Sequence, residues 1–248
     1  MAGYISSLYY ETLIENIPPH LNVLEFFSGS SASAVVTEIG VGVSETVPDT
    51  RTPRLYAGAT PVRLKTFAGM VRSRNFAEAS LGLAAINAYY NNTLPVGIAS
   101  EGKRTGGTDS LHSLKCDVAG KRAILVGHSE IIEQIFDEDG ALTVISNHAS
   151  VLGGLPLAAA GFVCPDCDVV LADEKCLIRK QLPRLIGCTD YLILAGLGIP
   201  AATFFGVDTI RSLLFYTVTD SADTLHLVRK GAAIRDIAKS CSACYMKV

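Results

Sequence analysis

The sequence predicts an α/β protein in two parts: an N-terminal α+β half, then a C-terminal half built on a Rossmann-like parallel sheet. Three observations lead there. The chain has 248 residues, between one and two ordinary domains. A helix, a meander of short strands and two further helices precede residue 100, whereas after Lys121 buried apolar runs alternate with amphipathic stretches. Between them, residues 100–120 are dense in Gly, Lys, Arg, Ser and Thr and read as a linker, which places the domains at 1–110 and 111–248.

Taken in order, Tyr4 to Asn16 sets Ile5, Leu8, Tyr9, Leu13 and Ile17 on one helical face, and Pro18-Pro19 end it. Residues 22–27, 34–39 and 42–47 are short, rich in Val and Phe, and punctuated by Gly29 and Gly40, as antiparallel strands require. Residues 61–70 and 76–90 read as helices, the second carrying Ala77, Ala79, Ala84, Ala85 and Ala88, whose small side chains permit close packing. In the second half, strands are expected at 122–126, 142–146, 169–172, 191–195 and 213–218. Helices are expected at 131–136, 156–163, 175–186 and, interrupted at Gly231, 222–239. Such alternation implies parallel strands joined by right-handed crossovers.

Composition narrows the function. With 49% hydrophobic and 18% charged residues the chain is globular rather than disordered. Twenty-one basic against 24 acidic residues leave −3 with no long run of one sign, so no nucleic-acid partner is expected. The most apolar stretch, 151–163, is interrupted by Gly153, Gly154, Pro156 and Gly161, too short and broken for a membrane span. The first 14 residues carry no Lys or Arg, unlike a secretory signal, so a cytoplasmic location is expected. Seven cysteines, an odd number in a chain of this size, favour reduced thiols, buried or metal-bound.

Ligands of open parallel sheets bind outside the carboxyl ends of the strands. Those ends carry Gly127, His128, Ser129 and Glu130; Asn147 and His148; Asp173 and Glu174; and Gly196 to Gly198. Imidazole and carboxylate on one rim could hold a transition metal such as zinc, cobalt, nickel or iron, or grip a polar ligand. The ordinary alternative makes them solvated residues or helix caps, Ser129 and Asp173 among them. Only the first glycine of a dinucleotide-binding turn is present, and Glu130 would repel a pyrophosphate, so neither NAD nor FAD is expected.

Cys164-Pro-Asp-Cys167 and Cys241-Ser-Ala-Cys244 have the two-residue gap that lets paired thiolates grip one metal ion. Against a shared site, the second pair falls in an expected mobile tail and 73 residues separate the pairs. Asp166 and Asp168 would raise the thiol pKa values and blunt redox reactivity. Asn87, polar in an alanine-rich helix, either meets a ligand or the other domain or is satisfied locally. Arg179 and Lys180 are a solvated pair unless they lie beside the strand ends.

The run from Glu78 to Ala88, followed after the polar stretch by Ala123-Ile-Leu-Val-Gly127-His128, resembles the heavy-metal chelation domain family, as do Asp168-Val-Val, the segment holding Leu177 and Leu182, and Gly206-Val-Asp208. The resemblance implies an enolase-N-terminal-like first half, a Rossmann-like second half and a ligand-binding cleft between them. It also implies a role in handling heavy metals or metal-containing cofactors, linked to anaerobic cobalamin synthesis or metal transport, with no enolase activity. The pattern is broken at Ser146, where an acid is usual, at Arg179 and Gln181, which replace Asn and Thr, and at Gly196 to Pro200. Arg179 adds a permanent cation and so favours an anionic ligand.

The reading is a protein that binds a small ligand, metal ion or metal complex in an interdomain cleft lined by Asn87, Gly127, His128, Asn147, Asp173 and Arg179, with homo-oligomerisation left open. His128 and Asp173 are its candidate metal ligands. One alternative is a transferase or lyase acting on a cofactor precursor, with His128 as general acid or base. The other is a zinc or iron–sulfur protein using Cys164, Cys167, Cys241 and Cys244.

Overall fold

The computed structural model describes residues 2–51, 62–93, 105–106, 108–136, 142–146, 154–202 and 208–248. The first half comprises α1 (Ala2–Glu15), the strands β1 (Asn22–Ser28), β2 (Ala32–Thr37), β3 (Gly40–Glu45) and β4 (Val62–Arg63), then α2 (Leu64–Ala68) and α3 (Phe76–Tyr90). Its sheet is antiparallel, in the order β3-β2-β1-β4. Helix α3 begins where the Asn75 side chain accepts from the N–H groups of Ala77 (3.0 Å) and Glu78 (3.2 Å). Every residue from Ala79 to Ala88 is buried, as expected of a helix that is apolar all round.

Small residues bring α3 onto the sheet. A methyl group on Gly42 of β3 would lie 2.1 Å from the Ala84 carbonyl oxygen and from the Ala88 nitrogen, both backbone atoms that cannot swing aside. Gly42→Ala is therefore expected to destabilise the protein by about 2–3 kcal/mol in urea unfolding. An unchanged midpoint would show that α3 does not pack this closely.

The second half contains β5 (Thr105–Gly106), α4 (Thr108–Val118), β6 (Ala123–Val126), α5 (Glu130–Phe136), β7 (Leu142–Ile145), α6 (Ala160–Val163), β8 (Val169–Ala172), α7 (Lys175–Ile178), α8 (Leu182–Ile186), β9 (Leu192–Ala195), β10 (Ile210–Val218), α9 (Ser221–Arg229), α10 (Ile234–Ile237) and β11 (Cys241–Lys247). The seven strands are ordered β5-β11-β10-β9-β8-β6-β7. From β7 to β10 all pairings are parallel, while β11 and β5 add an antiparallel edge. Strands β6, β8 and β9 are buried at every residue, as parallel strands covered on both faces must be. Alternation then sends Val170, Ala172, Leu192 and Leu194 into one core and Val169, Leu171, Ile193 and Ala195 into another. The first core also contains Tyr10, Leu64, Phe67 and Leu83, so the two halves share it.

Three expectations are corrected. The stretch read as linker contains α4, whose Leu114 and Val118 are buried against the sheet at the helical spacing. The expected mobile tail is β11, paired along its length with β10. The single helix expected at 175–186 is two short helices, because Lys180 adopts φ +61. There the Lys180 N–H donates to the Leu177 carbonyl (3.2 Å) and the Gln181 N–H to that of Cys176 (2.8 Å), a Schellman ending with lysine in the position glycine usually takes. The Lys180 amine meanwhile donates to the Val71 carbonyl of the other half and to that of Ile178 (2.8 Å).

Candidate functional site

After β6 the chain continues to the outer strand β7 and then returns to β8 on the other side of β6. The strand order therefore reverses between β6 and β8, the place where open α/β sheets bind ligands. A cavity of about 150 Å³ lies there. Gly127 and His128 from the end of β6, Ser146 from the end of β7, and Asp173 and Lys175 after β8 line it, with Leu157, Arg179 and Gln181 completing the wall.

Gly127 shapes this corner. It adopts φ +121, and a methyl group there would lie 2.7 Å from Asp173 Oδ2. The buried Asp173 carboxylate accepts from the backbone N–H of His128 (3.2 Å) and of Lys175 (3.0 Å) and from the Lys175 amine (3.1 Å). The amine also donates to the His128 carbonyl (2.8 Å) and pairs with Glu45 at 2.5 Å, reaching β3 in the other half. Burial alone would lower the Lys175 pKa, but the Asp173, Glu45 and Glu174 carboxylates outweigh it and raise the pKa well above the usual amine range. Glu45 is pushed up by burial, only partly offset by Lys175.

His128 is held through Nδ1, 2.7 Å from Glu133 Oε1, which also accepts from the Ser129 N–H (3.1 Å). A carboxylate on one ring nitrogen is how metal-ligating histidines are commonly oriented. Ser129 caps α5, its hydroxyl accepting from the Ile132 N–H (3.4 Å). Behind the cavity, Glu174 is fully buried, and its Oε1 accepts from the N–H groups of Gly198 (2.9 Å) and Glu45 (3.4 Å). Its Oε2 has no hydrogen-bond partner. Burial, then the Glu45 charge, push its pKa to about 8.

Four of the six predicted lining residues thus converge: Gly127, His128, Asp173 and Arg179. Asn87 does not line the cavity; it is buried and donates to the Val43 carbonyl (2.8 Å). Asn147 lies outside the described residues. The described lining of this cavity comes from the second half, and Asn87, expected on its wall, is instead buried in the shared core. Lys175 and Glu45 were not foreseen, because their pairing joins residues 130 positions apart; only the spacing of Lys175 from Asp173 hints at it.

The cysteine pairs are not arranged as paired ligands. On a strand, residues three apart point to opposite faces, and Cys244 lies in one core while Cys241 packs against the other. Cys164 is buried in the apolar core, where burial pushes its thiol up to about 11, and the Cys167 thiol donates to the Val163 carbonyl (3.3 Å). Among the described residues, no group of three or more His, Cys, Asp or Glu is placed to hold a metal ion. No described helix is long and apolar enough to cross a membrane.

Fold and site together define an α/β protein with a small polar cavity at the switch point of a mostly parallel sheet. Residues 10–90 match the DUF4213 family profile and residues 113–247 the DUF364 profile, both described as "Putative heavy-metal chelation". The second match alone covers more than half of the sequence, and the chain belongs to the DUF364 family. It is similar to a DUF364-family protein of unknown function from Desulfitobacterium hafniense, with 29% identity, 98% of each chain covered and a TM-score of 0.82. A DUF364-family protein of unknown function from Pyrococcus horikoshii shares the fold, with 18% identity, 98% of this chain and 100% of the other covered, and a TM-score of 0.77. No curated protein matches the chain.

Proposed function

We propose that this protein binds a heavy-metal ion that arrives already complexed by a small anionic chelator, and that the complex sits in the switch-point cavity. The observation that carries the reading is the wall itself, where one carboxylate-oriented imidazole, His128, and one exposed guanidinium, Arg179, flank a space of about 150 Å³. Asp173 is occupied by three donors, and the His128 imidazole is the lining group whose nitrogen chemistry suits a borderline metal ion. A bare ion would need more donors than that, whereas a complex brings its own. Arg179 clamps an anionic group of the chelator, and Gln181 and Ser146 supply neutral polar contacts. The family resemblance implies other residues at these three positions, which points to a chelator of this chain's own.

Isothermal titration with nickel–citrate and with nickel chloride tests the reading. The complex is expected to bind, and His128→Ala and Arg179→Ala each to weaken it about tenfold or more, the size of a lost charge-assisted contact or metal ligand. Nickel chloride alone should bind far more weakly than the complex, with or without Arg179. Nickel–citrate binding that ignores Arg179 would overturn the proposal.

A further inference from the structure

A larger hollow lies elsewhere, on the face of the sheet covered by α4, α5 and α10. It has a volume of about 770 Å³, and a second of about 440 Å³ adjoins it through Leu111, Ile131 and Gln134. Its floor is apolar, formed by Leu111 of α4, Ile131 of α5 and the cross-strand pair Tyr216 and Ala243 of β10 and β11. Its rim is basic: Arg235 and Lys239 on one side, His112 and Lys115 on the other. Among the described residues no carboxylate lines either hollow, although the chain as a whole carries −3. Lys239 shares its charge with Asp236 at 2.7 Å, and Arg235 is exposed.

We infer that this groove is a second binding site, independent of the switch-point cavity, for an anion with a flat heteroaromatic body, the chemistry of a nucleoside phosphate. The volume falls within the range of small-molecule sites, roughly 300–1,000 Å³. The flat body lies chiefly on Leu111 and Ile131, since Tyr216 is only 5% exposed, and the Gln134 amide, which both donates and accepts, meets its polar edge. The phosphate lies between Arg235 and Lys239, which stand four residues apart and so on one side of the chain where α10 continues into a 3₁₀ turn. An inorganic anion alone would use the rim and leave the floor empty. The rim-plus-floor combination is what selects a ligand with both parts.

Fluorescence titration of the full chain with the N-methylanthraniloyl derivative of ADP tests the inference. Binding in the micromolar range is expected, weakened at least tenfold by Arg235→Glu and by Leu111→Asp. Arg211→Glu, on the exposed start of β10, should leave it unchanged. Because Leu111→Asp could disturb α4, Arg235→Glu, an exposed position, decides if that variant fails to fold. Unlabelled ADP should displace the probe at concentrations at which inorganic phosphate does not. No binding up to millimolar probe, binding indifferent to Arg235→Glu, or displacement by phosphate as effective as by ADP would each overturn it.

Discussion

Replacing Lys175 with alanine should destabilise the protein by about 3–5 kcal/mol, because the amine is the common partner of buried carboxylates from both halves. Its side chain is only 18% exposed, and it holds Glu45 at 2.5 Å, Asp173 at 3.1 Å and the His128 carbonyl at 2.8 Å. Without it Glu45 and Asp173 remain, in low dielectric, without their lysine partner, and Glu174 loses the Lys175 charge that lowers its pKa. Leaving charges buried and unpaired costs more than the pair contributes when intact. The effect is read from urea unfolding near neutral pH. Adding Glu45→Gln to Lys175→Ala should recover part of the loss, since one stranded charge is then gone. A loss below about 1 kcal/mol would show that the network is solvated and that the two halves are not coupled through it.

Glu174→Gln is expected to remove most of a pH dependence that the wild type shows between about pH 4.5 and 8. The folded-state pKa of Glu174 is pushed to about 8 from an ordinary 4.5, so the native protein holds a proton there that the unfolded chain releases. The associated stability is fully present below about pH 4.5 and is lost as pH rises through about 8, by a total on the order of 5 kcal/mol. Lys180 does not confuse this window. Burial lowers its amine to about 8, below the unfolded 10.5, so its contribution changes only above pH 8, where stability regained on deprotonation has the opposite sign. Unfolding midpoints at pH 5, 6.5 and 8 should fall steeply for the wild type and much less for Glu174→Gln. Equal slopes would mean that Glu174 is ionised throughout.

The parallel sheet and its rim were legible in the sequence because both follow from local patterns. Apolar runs of four residues, each followed by Gly-His or Asp-Glu, placed Gly127, His128 and Asp173 at strand ends, and the switch-point rule brought them together. Where the sequence was silent, the cause was distance or a local exception. The Glu45–Lys175 pair depends on two halves docking, which no periodicity encodes. Lys180 breaks a helical pattern by adopting a left-handed conformation that glycine or asparagine would have signalled. The Cys-x-x-Cys spacing of Cys241 and Cys244 suggested a metal knuckle, but Ala-Cys-Tyr-Met is also a short apolar run that a buried strand can hold, and pairing with β10 decided between them. Leu111, Leu114 and Val118 already carried the helical period of α4 inside a stretch whose glycines and charges resembled a linker.

On the proposed function, the cavity between the ends of β6 and β8 receives a metal complex. Anomalous diffraction from crystals soaked in nickel–citrate tests it most directly. A nickel peak beside the His128 ring, with a citrate carboxylate on Arg179, is the expected result. A peak at the cysteines with the cavity empty of nickel would contradict the account.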